Sequence, residues 1–71
     1  MRLREIRKQK RLSQAQLAEK IGVDRATVTK WETGKAFPRA KKLLQISTEL
    51  GCSLDDIMGP EGHYEDRKEE A

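Results

Sequence analysis

Residues 13–34, with the sequence SQAQLAEKIGVDRATVTKWETG, constrain most strongly what this chain can fold into. Ser13 is a favourable N-cap residue, and Gln16 occupies the capping-box position three residues later. The apolar residues that follow at helical spacing are Leu17, Ala18 and Ile21. The segment therefore predicts a short amphipathic helix that begins directly after Ser13.

A second short helix is predicted to follow after a tight turn. Gly22 ends the first helix without the Cβ penalty of the left-handed conformation, and Asp24 is a favourable N-cap for the second. We expect Val28 and Trp31 to face inward and Gly34 to end the helix. The outer face then carries Arg25, Ala26, Thr29 and Lys30. Spacing alone is compatible with DNA binding in a major groove and with a purely architectural hairpin.

The composition limits the class of protein. The chain has 71 residues, of which 38% are charged and 4% are aromatic, so we expect one small domain with an aliphatic core between helices. No apolar run reaches the ~18–20 residues that span a bilayer, and no signal-peptide core follows Met1. We therefore expect a cytoplasmic protein without a membrane partner. One cysteine and one histidine predict neither a disulfide nor a metal site, and no cofactor is expected.

The charge is strongly polarised along the chain. Residues 1–42 contain 13 Lys and Arg against 4 acidic residues, whereas residues 43–71 contain 2 against 8. The positive charge brackets the predicted hairpin, as phosphate contacts beside a reading helix would. We divide the chain into a helical domain over residues 1–59 and an acidic, mobile tail over residues 60–71.

Three further helices are predicted around the hairpin. The first covers residues 2–11, with Leu3, Ile6 and the stem of Lys10 facing inward. Arg7 lies on the same side as Leu3, so its semi-buried charge needs a partner. A fourth helix covers residues 39–50, and a short fifth helix follows Ser53. The apolar residues expected to face the core from these two helices are Leu43, Ile46, Leu50, Leu54, Ile57 and Met58.

Three residues between or beside these helices have an ambiguous environment. Leu44 lies off the inner stripe of the fourth helix and is expected to be partly exposed. Phe37 is either an apolar plug under its loop or an exposed contact residue, and we favour the plug. Cys52 is expected to be a small buried hydrophobic residue.

The segments LSQAQLAEKIGV, TVTKWETGK and LLQISTELGCSLDDI, with their spacing, resemble the phage-repressor and Cro-like helix-turn-helix family of the xenobiotic-response-element type. The resemblance covers residues 2–58. It implies an all-α, lambda-repressor-like fold of five helices, with the helix-turn-helix in helices 2 and 3, and sequence-specific binding of double-stranded DNA. The sequence departs from the family at Ser47, where alanine is usual, and at Phe37, where a polar or basic residue is usual.

The resemblance also implies individual roles. The residues similar in position to base readers are Arg25, Ala26, Thr29 and Lys30. The residues similar to phosphate contacts are Gln14, Thr33 and Lys35. Arg7 and Glu32 match a buried ion pair of some members. From charge and position we add Arg11, Lys41 and Lys42 as phosphate contacts. We also expect a dimer interface at Leu44, Leu54 and Met58, with the alternative that Leu54 and Met58 only face the core.

The favoured function is a small, repressor-like transcriptional regulator that binds a palindromic operator as a homodimer. With no room for a ligand-binding domain, it is expected to act by occupancy and to bind no small molecule. The alternative is an antitoxin or protein-interaction module that also binds its own operator and uses the acidic tail for a protein partner. An enzyme is not expected, because the hairpin offers no nucleophile–base pair.

Overall fold

In the computed structural model, which describes residues 1–59, the chain forms five α-helices. They are α1 (Leu3–Gln9), α2 (Gln14–Ile21), α3 (Arg25–Thr33), α4 (Ala40–Leu50) and α5 (Leu54–Met58). The predicted all-α, five-helix fold with a helix-turn-helix in α2 and α3 is confirmed. The predicted acidic tail lies outside the described residues. Within residues 1–59, no helix combines the length and apolarity needed to cross a membrane.

An aliphatic core with one tryptophan holds the five helices together. Its buried residues are Leu3, Ile6, Leu17, Ala18, Ile21, Val28, Trp31, Leu43, Ile46, Leu50 and Ile57. Helix α2 packs against α3 and α4, while α1 packs against α3 and α5. The N–H of Arg2 donates to the carbonyl of Ile57 over 2.7 Å and so joins the two ends of the domain. Burying one such aliphatic side chain contributes about 1.5–3 kcal/mol. A domain this small has little surplus stability, so its folded state needs the buried side chains of every helix.

The turn between α2 and α3 is built largely as the sequence predicts. Ser13 and Gln16 form a reciprocal capping box at the start of α2. Gly22 ends the helix with φ of 82°, a left-handed conformation in which any side chain would be strained. Asp24 is the N-cap residue of α3, as predicted, but its side chain makes no capping hydrogen bond. The backbone carbonyl of Asp24 instead accepts from the N–H of Thr27 over 3.0 Å.

Helix α1 is shorter than predicted. It ends at Gln9, Lys10 is its exposed C-cap, and Arg11 adopts a φ of 61°. The N–H of Leu12 then donates to the carbonyl of Arg7 over 3.1 Å, which closes the turn. The prediction that the stem of Lys10 faces inward is therefore wrong, because this left-handed turn ends the helix.

The loop before α4 also differs from the prediction. Phe37 remains 38% exposed, and the neighbouring Pro38 is the fully buried residue of the loop. The prediction that Phe37 is the buried plug is therefore wrong, and the ring of Pro38 is buried in its place. Helix α4 begins at Ala40, one residue later than predicted, with Arg39 as its N-cap.

Two polar details follow at the end of α4. Cys52 is half-buried rather than fully buried, although it packs against the core. The hydroxyl of Ser47 donates to the carbonyl of Cys52. This hydrogen bond explains a serine at a helical position where an alanine could make no such contact.

Candidate nucleic-acid interface

The polar face of α3 forms one wall of a concavity of about 430 Å³. The concavity is lined by Arg25, Ala26, Thr29, Lys30, Thr33 and Lys35. All four residues predicted to read bases therefore lie together, with two of the residues predicted to contact phosphate. Three of the six are cations and none is acidic, so the surface attracts anions.

Helical periodicity explains why these side chains share a face. Arg25, Thr29 and Thr33 follow one another at intervals of four residues, which places them along one side of the helix. Val28 and Trp31 lie on the opposite side and are buried in the core. The face that carries the polar residues is thereby fixed toward solvent.

The turn after α3 brings one further cation to the same surface. Gly34 ends the helix with φ of 81°, and this conformation reverses the chain direction. The N–H of Lys35 then donates to the carbonyl of Lys30 over 2.9 Å. Lys35 is consequently held beside the last turn of α3.

Behind this surface, the structure brings Arg7 and Glu32 into the contact that the sequence predicts. The Nε of Arg7 donates to Oε2 of Glu32 over 2.6 Å, and Nη2 donates to Oε1 over 3.2 Å. The Nη1 of Arg7 donates to the carbonyl of Leu12 over 2.8 Å. The side chain of Glu32 has 0% exposed surface and that of Arg7 has 9%. Arg4 is a second cation at this carboxylate that the sequence did not indicate, and its Nε lies 3.5 Å from Oε1 of Glu32.

The surroundings of Glu32 keep its carboxylate ionised. Burial acts to raise the pKa of Glu32, but hydrogen bonds from Arg7 and Gln14 and the positive charge of Arg7 outweigh it. The pKa of Glu32 is therefore below its ordinary value. An ionised carboxylate only accepts hydrogen bonds, so every polar group facing Glu32 must be a donor.

A chain of side-chain hydrogen bonds links this buried carboxylate to the exposed face of α3. The Nε2 of Gln14 donates to Oε1 of Glu32 over 2.9 Å, and the hydroxyl of Thr29 donates to Oε1 of Gln14 over 3.0 Å. We call Glu32, Gln14 and Thr29 the polar relay. Sequence reasoning missed it, although Thr29 and Glu32 are three residues apart, a spacing that brings two side chains of a helix close together.

The cations proposed as phosphate contacts outside α3 have different environments. Arg11 and Lys41 are exposed, whereas Lys42 is half-buried. The Nζ of Lys42 donates to the carbonyl of Ile21 over 3.0 Å, and Nε2 of Gln45 donates to the same oxygen over 3.1 Å. These bonds satisfy a carbonyl that the end of α2 leaves without a helical partner. Lys42 thus has an internal role that the sequence did not predict, and its phosphate contact stays a prediction.

The residues proposed for a dimer interface lie on α4 and α5, which pack against each other. Leu44 is 57% exposed and Leu54 is 37% exposed. Met58 is half-buried and packs against the core. Leu44 and Leu54 therefore present apolar surface on helices other than α3.

This geometry defines a class of protein: an all-α domain that presents a short cationic helix through a helix-turn-helix. Residues 3–57 match the helix-turn-helix family, and the chain belongs to it. The predicted resemblance is confirmed. The family consists of DNA-binding transcriptional regulators and not of enzymes.

Named relatives agree with this membership. The chain is 38% identical over 69 residues to the uncharacterized HTH-type transcriptional regulator YqaE of Bacillus subtilis, covering 97% of this chain and 60% of YqaE. It is 37% identical to the HTH-type transcriptional activator BcrR of Enterococcus faecalis, covering 84% of this chain and 29% of BcrR. It is 33% identical to repressor protein C2 of Salmonella phage P22, covering 80% of this chain and 26% of C2. The chain thus spans between about a quarter and three fifths of the length of these relatives.

Proposed function

We propose that this chain binds double-stranded DNA sequence-specifically, by inserting α3 into the major groove, and that it regulates transcription. The observation that carries the proposal is the concavity along α3, which holds Arg25, Lys30 and Lys35 and no acidic side chain. A major groove is about 12 Å wide, and an α-helix with its side chains is about 10–12 Å across.

Within this arrangement, Arg25 and Lys30 are the proposed direct readers of base edges. Arg25 is the first residue of α3, and its guanidinium can grip O6 and N7 of one guanine together. Lys30 lies on the same concave surface and can donate to the same type of acceptor. Ala26 is small and exposed, which suits contact with a thymine methyl group.

A second set of residues is proposed to position the domain on the phosphate backbone without reading sequence. This set contains Gln14, Thr33, Lys35, Arg11, Lys41 and Lys42. Gln14 uses one hydrogen of its Nε2 for Glu32, and the amide has a second hydrogen that a phosphate oxygen can accept. Loss of one cationic contact should lower the slope of log K against log salt by about one, because fewer counterions are released.

The proposed active form is a homodimer on a palindromic operator. One short reading helix covers only a few base pairs, so two copies should contact half-sites about 34 Å, or about 10 base pairs, apart. We place the contact between copies at Leu44, Leu54 and Met58, on helices that also carry the exposed Asp55 and Asp56. Those two acidic side chains would repel phosphate, so this surface would point away from DNA. The proposal includes a cytoplasmic location, which cell fractionation would test.

Selection from a library of random duplexes with the purified chain tests the function. We expect one enriched palindromic motif, and sedimentation of the complex should give two copies for each duplex. Enrichment of no motif, with equal affinity for all duplexes, would refute sequence-specific binding. A motif occupied by one copy at saturation would refute the dimer while leaving the reading helix in place.

A further inference from the structure

We infer that Thr29 acts in the major groove as a hydrogen-bond acceptor and therefore reads the exocyclic amino group of adenine or cytosine. The single hydrogen of the Thr29 hydroxyl is donated to acceptors within the protein itself. This inference rests on the proposed function and adds the donor–acceptor polarity of one base contact.

The polarity of the relay begins at Glu32. Its carboxylate is ionised and can only accept, so the end of Gln14 that faces it must be the NH₂ group. The 2.9 Å contact from Nε2 of Gln14 to Oε1 of Glu32 has this orientation. The carbonyl oxygen of the Gln14 amide consequently points away from Glu32 and toward α3.

The same reasoning fixes the hydroxyl of Thr29. The Oε1 of Gln14 can only accept, so Thr29 must donate across their 3.0 Å contact. The other internal neighbour of this hydroxyl is the carbonyl of Arg25 at 3.2 Å, which is again an acceptor. A hydroxyl has one hydrogen, and both internal partners compete for it. Thr29 therefore offers only lone pairs to a third group.

Thr29 is placed where such a third group would be a base. Thr29 is half-buried and lines the concavity between Arg25 and Thr33 on the polar face of α3. In the major groove, the donors are N6 of adenine and N4 of cytosine, whereas O6 and N7 of guanine and O4 of thymine accept. An acceptor at this position favours an amino base and is repelled by the oxygen of a keto base on the same strand.

Thr29→Val tests the inference, because valine keeps the branched shape and one methyl position but removes the hydroxyl. Selection with the wild type and with Thr29→Val should differ at one position of each half-site, and that position identifies the base that Thr29 reads. A preference that arises from a methyl contact with thymine would persist in the valine variant. Thr48→Val, at an exposed threonine of α4, is the matched control and should leave the selected motif unchanged.

Base analogues then test the polarity at the identified position. Replacing adenine by 2-aminopurine, or cytosine by 2-pyrimidinone, removes the amino group from the major groove. The wild type should lose roughly three- to tenfold in affinity, the size of one net hydrogen bond. Thr29→Val should lose nothing further on the same analogue duplex. Equal losses in the two proteins would overturn the inference, because the amino group would then have a different partner.

Gln14→Leu tests the relay itself. Without the amide, the hydroxyl of Thr29 keeps only the Arg25 carbonyl at 3.2 Å as an internal acceptor and loses the shorter of its two contacts. Its hydrogen then turns more readily to a base, so the discrimination between amino and keto bases at its position should fall. Affinity should also drop on every sequence through the lost phosphate contact, and this uniform change is separable from the local one. Unchanged discrimination in Gln14→Leu would overturn the relay. A wild type that selects no motif would refute the proposed function and this inference with it, whereas a motif shared at every position by wild type and Thr29→Val would refute the inference alone.

Discussion

Replacing Glu32 by glutamine should destabilise the domain more than any other exchange of a glutamate for a glutamine in residues 1–59. The substitution keeps the size of the side chain but removes its charge. Arg7 would then remain buried with only the Leu12 carbonyl and one amide oxygen as acceptors, in place of the carboxylate that now accepts at 2.6 and 3.2 Å. Arg4 is exposed enough to be solvated, so its loss of a partner should cost little.

The magnitude follows from the burial of the pair. Removing one partner of a buried ion pair typically costs ~3–5 kcal/mol. Glutamine retains one acceptor for Arg7, so we expect the lower end, about 3 kcal/mol. In a domain of this size, 1 kcal/mol corresponds to about 4–8 °C in Tm, so Glu32→Gln should lower Tm by about 12–24 °C. Such a change approaches the whole stability of many small domains.

Thermal unfolding followed by circular dichroism measures this effect, and Glu19→Gln is the matched control. Glu19 is exposed on α2, and a surface exchange of this kind should stay within about 0.5 kcal/mol. The paired replacement Arg7→Met with Glu32→Leu should recover much of the lost Tm, because it removes both buried charges together. Equal Tm values for Glu32→Gln and Glu19→Gln would show that Glu32 and Arg7 form no stabilising buried pair and that Arg7 is an ordinary surface cation.

The pH dependence of stability gives the same test a second readout. The pKa of Glu32 is lowered in the folded protein, so its ionised form stabilises the fold above the ordinary value of about 4.5. This stabilisation is lost as the pH falls through the folded pKa. The Tm difference between wild type and Glu32→Gln should therefore shrink in acid, and a constant difference down to strongly acidic pH would contradict the assignment.

Three further predictions concern other residues. Lys42→Met should lower the free energy of unfolding by about 1 kcal/mol, because the Ile21 carbonyl loses one charged donor. Lys41→Met should leave Tm unchanged and lower only the salt slope of DNA binding. Identical Tm values for the two variants would contradict the internal role of Lys42. Arg11→Gly should raise or preserve Tm, since glycine adopts the left-handed φ of 61° without strain. The salt slope of DNA binding should fall by about one. A clear loss of Tm would argue against backbone strain at Arg11. Leu44→Asp should weaken dimerisation in sedimentation with no loss of helical content, and an unchanged association constant would place the interface elsewhere.

Local sequence signals predicted the helix-turn-helix well because they act over a few residues. The capping box of Ser13 and Gln16 and the left-handed turn at Gly22 depend on neighbours within one helical turn. The spacing of residues on α3 likewise follows from helical periodicity alone. Fold class and the polar face of α3 could therefore be derived from the sequence.

Features that depend on packing between helices could not be derived in this way. Lys42 donates to a carbonyl 21 residues away, and the choice between Phe37 and Pro38 as the buried residue depends on the space left under the loop. The pairing of Arg7 with Glu32 was reached through the family resemblance, not through spacing. The link from Glu32 through Gln14 to Thr29 requires the rotamers of side chains on two helices, which periodicity does not specify.

The proposed sequence specificity depends on contact between Arg25 and a base edge, and the affinity of Arg25→Ala for a systematic set of duplexes tests this contact. The set contains the selected operator and every single base-pair change within one half-site, at fixed salt. We predict that Arg25→Ala loses about 1–3 kcal/mol on the selected operator and becomes indifferent to changes at one base pair, while its preferences elsewhere persist. A loss of equal size on every duplex, with all preferences retained, would make Arg25 a phosphate contact and refute its proposed role as a base reader.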